Sequence, residues 1–165
     1  MAKIHSLKLL LKDIEQPLIL QVNEEECERL KSILGRLSLD GSSIKFFNFS
    51  TLDGRFYSIN LKYLQAVNYL WDASPLALDR TRYEGSINIY LLNRQLAVET
   101  YTESPIEIYD FFCGLESDNG LSFLGFTDND GELLSFQCNE IIYALTPEHI
   151  YEEGESKVNQ EDLAL

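Results

Sequence analysis

The cluster of residues with the most evident chemical potential is the loop at residues 128–132, Asp-Asn-Asp-Gly-Glu. Calcium-binding loops place Asp or Asn at positions 1, 3 and 5, Gly at position 6 and Glu at position 12. The two aspartates and the glycine fit positions 3, 5 and 6, but Phe126 and Gln137 stand at positions 1 and 12. An Asp-Gly pair between apolar runs also favours a β-hairpin, because its turn needs positive φ. We therefore predict a hairpin turn and neither a metal nor a cofactor site.

Motifs for nucleophilic or acid–base catalysis are missing from the sequence. His5 and His149 are the only histidines, and neither belongs to an HExxH pattern. Cys27, Cys113 and Cys138 show no CxxC spacing, so we interpret them as reduced, buried thiols. No glycine spacing resembles a phosphate-binding loop. The sequence thus predicts a protein that is not an enzyme, and reduced thiols favour a cytoplasmic location.

Eight aromatic residues of the first half crowd into residues 46–71, where a few lysines and arginines flank them. Because alternate residues of a strand share a face, these rings cannot all point into one core. Some rings therefore fill a core between the halves, or form a platform for a partner protein or for stacked bases. The candidate interaction surface comprises Lys45, Phe47, Arg55, Phe56, Tyr57, Tyr63, Trp71, Asp128, Asp130 and Glu132.

The negative charge lies in one half of the chain. Residues 1–72 carry nine basic and nine acidic side chains, whereas residues 73–165 carry four basic and eighteen acidic ones, a net charge of −14. Such a field repels a phosphate backbone, so nucleic acid is disfavoured as a partner. A protein partner with a basic surface is expected, and a homo-oligomer is left open. No apolar run approaches the ~18–20 residues that cross a bilayer, so no membrane partner is expected.

The elements that position these residues are encoded twice. Residues 49–60 realign with residues 126–137 at an offset of 77, and this alignment superimposes the two Asp-Gly pairs. We predict a tandem duplication of a β-rich unit, with the two copies packed about a pseudo-twofold axis because units this small are marginal alone. The predicted parts are a first unit at 1–72, a connection at 73–85, a second unit at 86–151 and a disordered acidic tail at 152–165.

Each unit is predicted to follow the order β-β-α-β-β-β, which gives an α+β fold with two helices and about ten antiparallel strands. Alternating leucines mark the first strands, and Asn23 is the expected N-cap of the first helix, ahead of three glutamates. In the first unit the predicted strands are 3–12, 17–23, 44–49, 55–61 and 64–71, with a helix at 24–37. In the second unit they are 86–93, 96–102, 121–127, 132–138 and 141–146, with a helix at 104–115.

Counted from Asn23 to Thr102, the same elements are a helix followed by five strands. This order, together with one Asp-Gly hairpin in each copy, resembles the Sm-like and SH3-like small barrels, in which a short helix precedes a bent antiparallel sheet. The resemblance implies barrel units and an RNA-binding alternative, but no Sm-type signature residues are present that would transfer an RNA site. Exchange of the first hairpin between the units is compatible with either division of the chain.

The absence of catalytic motifs and the one-sided charge together favour a non-catalytic protein-binding or regulatory protein. It would act through its acidic second unit, as an adaptor, an inhibitor or an immunity-type protein. Two alternatives stay open: an Sm-like RNA-binding protein that uses the aromatic first unit, and a small-molecule binder or enzyme with a site between the units.

Overall fold

The computed structural model describes residues 4–40, 46–72, 87–117 and 123–163, which contain ten strands and three α-helices. The first half contributes β1 (Ile4–Leu11), β2 (Leu18–Val22), α1 (Glu24–Asp40), β3 (Phe46–Ser50), β4 (Arg55–Asn60) and β5 (Leu64–Asp72). The second half contributes β6 (Ile87–Leu91), β7 (Val98–Thr100), α2 (Pro105–Glu116), β8 (Phe123–Thr127), β9 (Leu133–Gln137), β10 (Ile141–Pro147) and α3 (Glu148–Leu163). The short 3₁₀ helices Leu61–Tyr63 and Cys138–Glu140 precede β5 and β10.

The strands form three antiparallel sheets, so the α+β class with about ten antiparallel strands is confirmed. Their orders are β2-β1-β5, β3-β4-β10-β6-β7 and β8-β9. None of the sheets formed by the described strands closes into a barrel, and the Sm-like or SH3-like architecture is therefore not found. Each first hairpin stays in its own half, since β1 pairs with β5 and β6 pairs with β10.

Side-chain caps determine where α1 and α2 begin. The Asn23 side chain accepts a hydrogen bond from the Glu26 N–H at 2.9 Å, and the Ser104 hydroxyl accepts one from the Glu107 N–H at 3.4 Å. Both bonds satisfy amide groups that have no partner within the helix. The buried stripes are Cys27, Leu30 and Ile33 on α1, and Ile108, Phe111, Phe112 and Leu115 on α2.

A third helix corrects the prediction of two helices and of a disordered tail at 152–165, because α3 extends from Glu148 to Leu163. Its less exposed positions follow a helical spacing at Ile150, Tyr151, Gly154 and Val158. A glycine in the middle of this stripe, with acidic residues on either side, hides the periodicity from an apolar-residue count. The helical pattern of α3 was therefore present in the sequence, but its central position is a glycine, which has no apolar side chain to reveal it.

The five-stranded sheet separates two cores, and β3 and β4 are buried on both faces. Because successive side chains of a strand point to opposite faces, neighbouring aromatics enter different cores. One core contains Leu7, Leu9, Leu30, Phe47, Phe49, Tyr57, Ile59 and Leu145. The other contains Phe46, Phe56, Ile87, Ile89, Phe111, Phe112, Phe126, Phe136 and Ala144.

The two halves have the same element order and repeat several backbone hydrogen bonds. Each half runs β-β-α-β-β-3₁₀-β, and Gly54 and Gly131 have the same φ of +80° in the two Asp-Gly turns. Counterpart residues are 77 apart from the β3–β4 hairpin onward and 80 apart in the first hairpin. Matched bonds are Thr51 N to Arg55 O and Asp128 N to Glu132 O, both at 2.9 Å, and Lys12 N to Tyr63 O and Leu92 N to Glu140 O at 3.0 and 2.9 Å.

One strand pair joins the halves. β4 pairs with β10 in antiparallel register, from Ile59 opposite Tyr143 to Arg55 opposite Pro147. A twofold relation would also pair their counterparts, β9 and β5. Among the described strands, β9 pairs only with β8, and β5 pairs only with β1. The strand pairing between the halves is therefore one-sided, and the predicted pseudo-twofold packing is not seen.

Candidate functional site

Four aromatic residues of the predicted interaction surface lie in the cores. Phe47, Phe56, Tyr57 and Tyr63 expose at most 8% of their surface. The structure therefore corrects their assignment to a surface. The reason is tertiary: the sheets and helices of both halves cover the two faces of β3 and β4, and the Tyr63 hydroxyl donates a hydrogen bond to the Asn139 carbonyl.

The basic and tryptophan residues of that surface contribute no described ligand site. Lys45 lies outside the described residues, and for Trp71 the structure describes only the backbone, within β5. Arg55 is 9% exposed, and its Nε lies 3.5 Å from Oδ2 of Asp53. The Arg55 charge is thus engaged within the β3–β4 turn.

Asp128, Asp130 and Glu132 come together at the β8–β9 turn. One carboxylate oxygen of Asp128 accepts hydrogen bonds from the backbone N–H groups of Asp130 and Glu132, both at 2.9 Å. This is the geometry of a hairpin turn in which Asp replaces a backbone acceptor. In the part of the chain that the structure describes, no group of three or more His, Cys, Asp or Glu side chains could hold a metal ion.

The structure places a group of exposed carboxylates on two packed helices, α2 and α3, which sequence reasoning did not predict. These carboxylates are here called the acidic helical face. Its only described lysine or arginine is Lys157, whose Nζ lies 3.0 Å from a Glu153 carboxylate oxygen. The sequence signal was present as an acid-rich segment but was interpreted as a tail. The members of the acidic helical face are Asp110, Glu116, Glu152, Glu153, Glu155, Glu161 and Asp162.

Tyr109, Cys113 and Tyr151 form a hydrogen-bonded cluster between the two helices. The hydrogen bond to Cys113, together with burial, raises the pKa of Tyr109 to about 12, and Glu155 and Asp110 raise it further by charge. Burial is the main cause of the raised pKa of Tyr151. Burial also raises the pKa of the Cys113 thiol, although its hydrogen bonds to the two tyrosines oppose the shift. The thiol is therefore neutral near pH 7 and is a poor nucleophile.

A glycine allows α2 and α3 to approach closely. A Cβ atom at Gly154 would lie 2.1 Å from the Pro105 carbonyl oxygen and 2.7 Å from Tyr109 Cβ. The approach brings Tyr151 onto Phe56, with ring centroids 3.7 Å apart and planes at 11°. The acidic helical face is thus fixed to the central sheet through packed rings.

The two-stranded sheet β8–β9, here called the ribbon, has one buried and one exposed face. Phe126 and Phe136 point into the core. On the opposite face, Phe123 is 58% exposed and Leu133 is 72% exposed. Large exposed apolar side chains that share a face of a strand pair are a candidate contact surface.

Comparisons of the chain with protein-family models, with curated proteins and with solved structures found no match. None of the described helices is both long enough and apolar enough to cross a membrane.

Proposed function

We propose that the protein is a non-catalytic binding or regulatory protein whose acidic helical face engages a basic surface on a protein partner. The observation that carries this proposal is the concentration of exposed carboxylates on two packed helices, with one lysine that is already paired. A field of one sign accelerates encounter with an oppositely charged partner and orients it. An adaptor, an inhibitor or an immunity-type protein that covers a basic site would use such a surface.

The proposal is supported by the way in which the carboxylates are positioned. The contact at Gly154 and the stacked pair of Tyr151 and Phe56 fix α3 against α2 and β4. The Thr127 N–H donates to a Glu107 carboxylate oxygen at 3.3 Å, which joins the ribbon turn to the first turn of α2. Carboxylates on packed elements lose less conformational freedom on binding than carboxylates on a mobile tail.

We further propose that the two halves arose by tandem duplication. The realigned sequence segments and the backbone hydrogen bonds at offsets of 77 and 80 residues support this origin. In this proposal the neutral first copy became the scaffold and the acidic second copy the binding surface. A cytoplasmic location is also proposed, on the basis of Cys27, Cys113 and Cys138, which form no disulfide bond.

No observation on the described residues favours the two alternative functions. An Sm-like RNA site in the first half would need accessible rings for base stacking, and Phe47, Phe56, Tyr57 and Tyr63 are buried. A small-molecule or catalytic site between the halves would need a cleft, whereas the described junction is a strand pair with packed side chains. We therefore propose protein binding alone.

A charge-reversal experiment tests the proposed function. Changing Glu152, Glu153 and Glu155 to Lys should abolish capture of partner proteins from a lysate at low salt. As a matched control, the same reversal at Glu15, Glu25 and Glu28, which are exposed carboxylates of the first half, should leave capture intact. Raising the salt should release the partners from the unmodified protein, because screening weakens charge attraction.

Two results would contradict the proposed function. One is that no protein is retained at low salt; the other is that retention is unchanged by the triple reversal in α3. A gel-shift assay with short single-stranded RNA distinguishes the proposed function from the RNA-binding alternative, since the proposed function predicts no shift.

A further inference from the structure

Two surfaces on opposite halves of the chain each combine exposed apolar side chains with a strand edge that no described strand pairs with. The first is the ribbon, where β9 pairs only with β8 among the described strands and Leu133 is 72% exposed. The second, here called the α1–β5 groove, is an open groove of about 440 Å³. Its strand, β5, pairs only with β1 within the described chain. The groove is lined by Leu34, Leu37, Leu64, Gln65, Ala66, Val67 and Tyr69.

An equivalent contact between a hairpin and a strand is present within the chain. β4, the counterpart of β9, pairs with β10, the counterpart of β5. The second half then covers the outer face of the β3–β4 hairpin. Phe46 and Phe56, the counterparts of Phe123 and Leu133 at an offset of 77, are only 3% and 7% exposed in consequence. Phe56 packs on Phe112 of α2 and Tyr151 of α3. The same apolar positions are thus buried where the helices of the other half cover the hairpin, and exposed on the ribbon.

We propose that the ribbon of one copy of this chain docks in the α1–β5 groove of a second copy, with β9 paired to β5. In the register of the β4–β10 pair, Phe136 lies opposite Ala66, and Leu133 lies opposite Tyr69. Each copy carries one ribbon and one groove, so the contact is head to tail. Such a contact builds closed rings of two or more copies, or open chains.

Charge and strand chemistry favour a second copy as the occupant. The Lys31 Nζ lies 5.0 Å from the Tyr69 ring centroid and 3.3 Å from a carboxylate oxygen of Glu28, at the end of the groove that this register places beside Glu132. Pairing of two exposed edges satisfies backbone groups that are otherwise left to water. The docking uses neither α2 nor α3, and it therefore goes beyond the proposed function and does not depend on it.

The contact between copies is expected to be weaker than the contact within the chain. Tyr143 and Leu145 of β10 are apolar and buried against the first half, whereas their counterparts in β5 are the exposed Ala66 and Asn68. Less apolar surface is removed from water, and the free energy of association is correspondingly smaller. Association is therefore reversible and depends on concentration.

Sedimentation equilibrium on the full chain tests the proposal. The unmodified protein should form multiples of the monomer mass as its concentration rises towards about 1 mM. Leu133→Lys blocks the ribbon and Ala66→Arg blocks the groove; both residues are exposed, so the fold should survive, as circular dichroism can verify. Each variant alone should be monomeric. The control Leu96→Lys, at a side chain 85% exposed outside both surfaces, should associate like the unmodified protein.

Mixing the two blocked variants gives the decisive result. An equimolar mixture should form a dimer that grows no further, because only one intact ribbon and one intact groove meet. A mixture that stays monomeric while the unmodified protein associates would overturn the proposal in favour of a symmetric contact. Unmodified protein that is monomeric at every concentration, or blocked variants that associate normally, would overturn it as well.

Discussion

Asn60 and Gln137 hold counterpart positions before the two 3₁₀ helices, yet they make different contacts. The Asn60 Nδ2 donates to the Ile141 carbonyl at 2.9 Å, and its Oδ1 accepts from the Lys62 N–H at 3.0 Å. Gln137 is exposed and makes no capping hydrogen bond. One buried amide of the first half therefore holds both its own turn and β10, the central strand of the five-stranded sheet, which comes from the other half.

Replacing these two residues should give unequal losses of stability. Asn60→Ala should lower the free energy of unfolding by about 1–3 kcal/mol, since it leaves buried backbone groups without partners. Gln137→Ala, the matched control, should change it by no more than about 0.5 kcal/mol. Urea denaturation monitored by tryptophan fluorescence measures both. Equal losses would show that the Asn60 bonds do not matter.

Tyr109 should make the stability depend on pH in the alkaline range. Its pKa is raised from 10.0 to about 12 in the folded protein, so the unfolded chain loses this proton first as the pH rises. The stabilising contribution is complete below about pH 10 and is lost as the pH approaches about 12. The free energy of unfolding should fall over this range, and it should fall less in Tyr109→Phe. Tyr101→Phe, which removes an exposed hydroxyl elsewhere, is the control; identical pH profiles for both variants would contradict the prediction.

Among the elements, α2 and α3 depend on a position that carries no side chain. Gly154 is buried, and any Cβ there meets the Pro105 carbonyl. Gly35, in α1, has no atom within 4 Å of the position of an added Cβ. Gly154 is therefore required for the close packing of two helices, whereas Gly35 occupies a position where a larger side chain would meet no neighbour.

Alanine substitution should therefore change the stability in opposite directions at these two positions. Gly154→Ala should destabilise the protein by about 1–3 kcal/mol, because the helices must move apart. Gly35→Ala should stabilise it by up to about 1 kcal/mol, because alanine favours the helix and meets no neighbour. Thermal or chemical denaturation of both variants gives the comparison. A neutral Gly154→Ala variant would contradict the close approach of α2 and α3.

Local patterns in the sequence predicted most elements but could not predict what covers them. Alternating leucines predicted β1, the Asp-Gly pairs predicted both later hairpins, and the cap at Asn23 predicted the start of α1. The sequence could not show that both faces of β3 and β4 are buried, because burial there depends on β10 and α2, which lie far along the chain. The aromatic surface was therefore misassigned, and the acidic helical face was missed together with α3.

At the scale of the whole molecule, neither half completes its own strand pairing or burial. Without the second half, β4 loses β10 and the outer face of the β3–β4 hairpin loses its cover. A unit of about 70 residues already buries a modest fraction of its surface. We therefore expect the two halves to unfold as one cooperative unit.

Separated fragments should show this dependence. Residues 1–72 and residues 73–165, produced apart, should each lack a cooperative urea transition, and mixing them should restore one together with the near-ultraviolet circular dichroism of the intact chain. A cooperative transition in fragment 1–72 alone would contradict the prediction. A mixture with residues 1–72 carrying Asn60→Ala should regain less of the signal.

The strand pair between β4 and β10 also determines when the protein can fold during its synthesis. Arg55 of β4 pairs with Pro147 of β10, so every residue between them must leave the ribosome before the two strands can pair. Contacts this distant in sequence slow folding. Until then the nascent chain carries Phe46 and Phe56 on an uncovered hairpin, the kind of surface that chaperones bind. The protein should therefore need more protection while it is being translated than its modest size suggests.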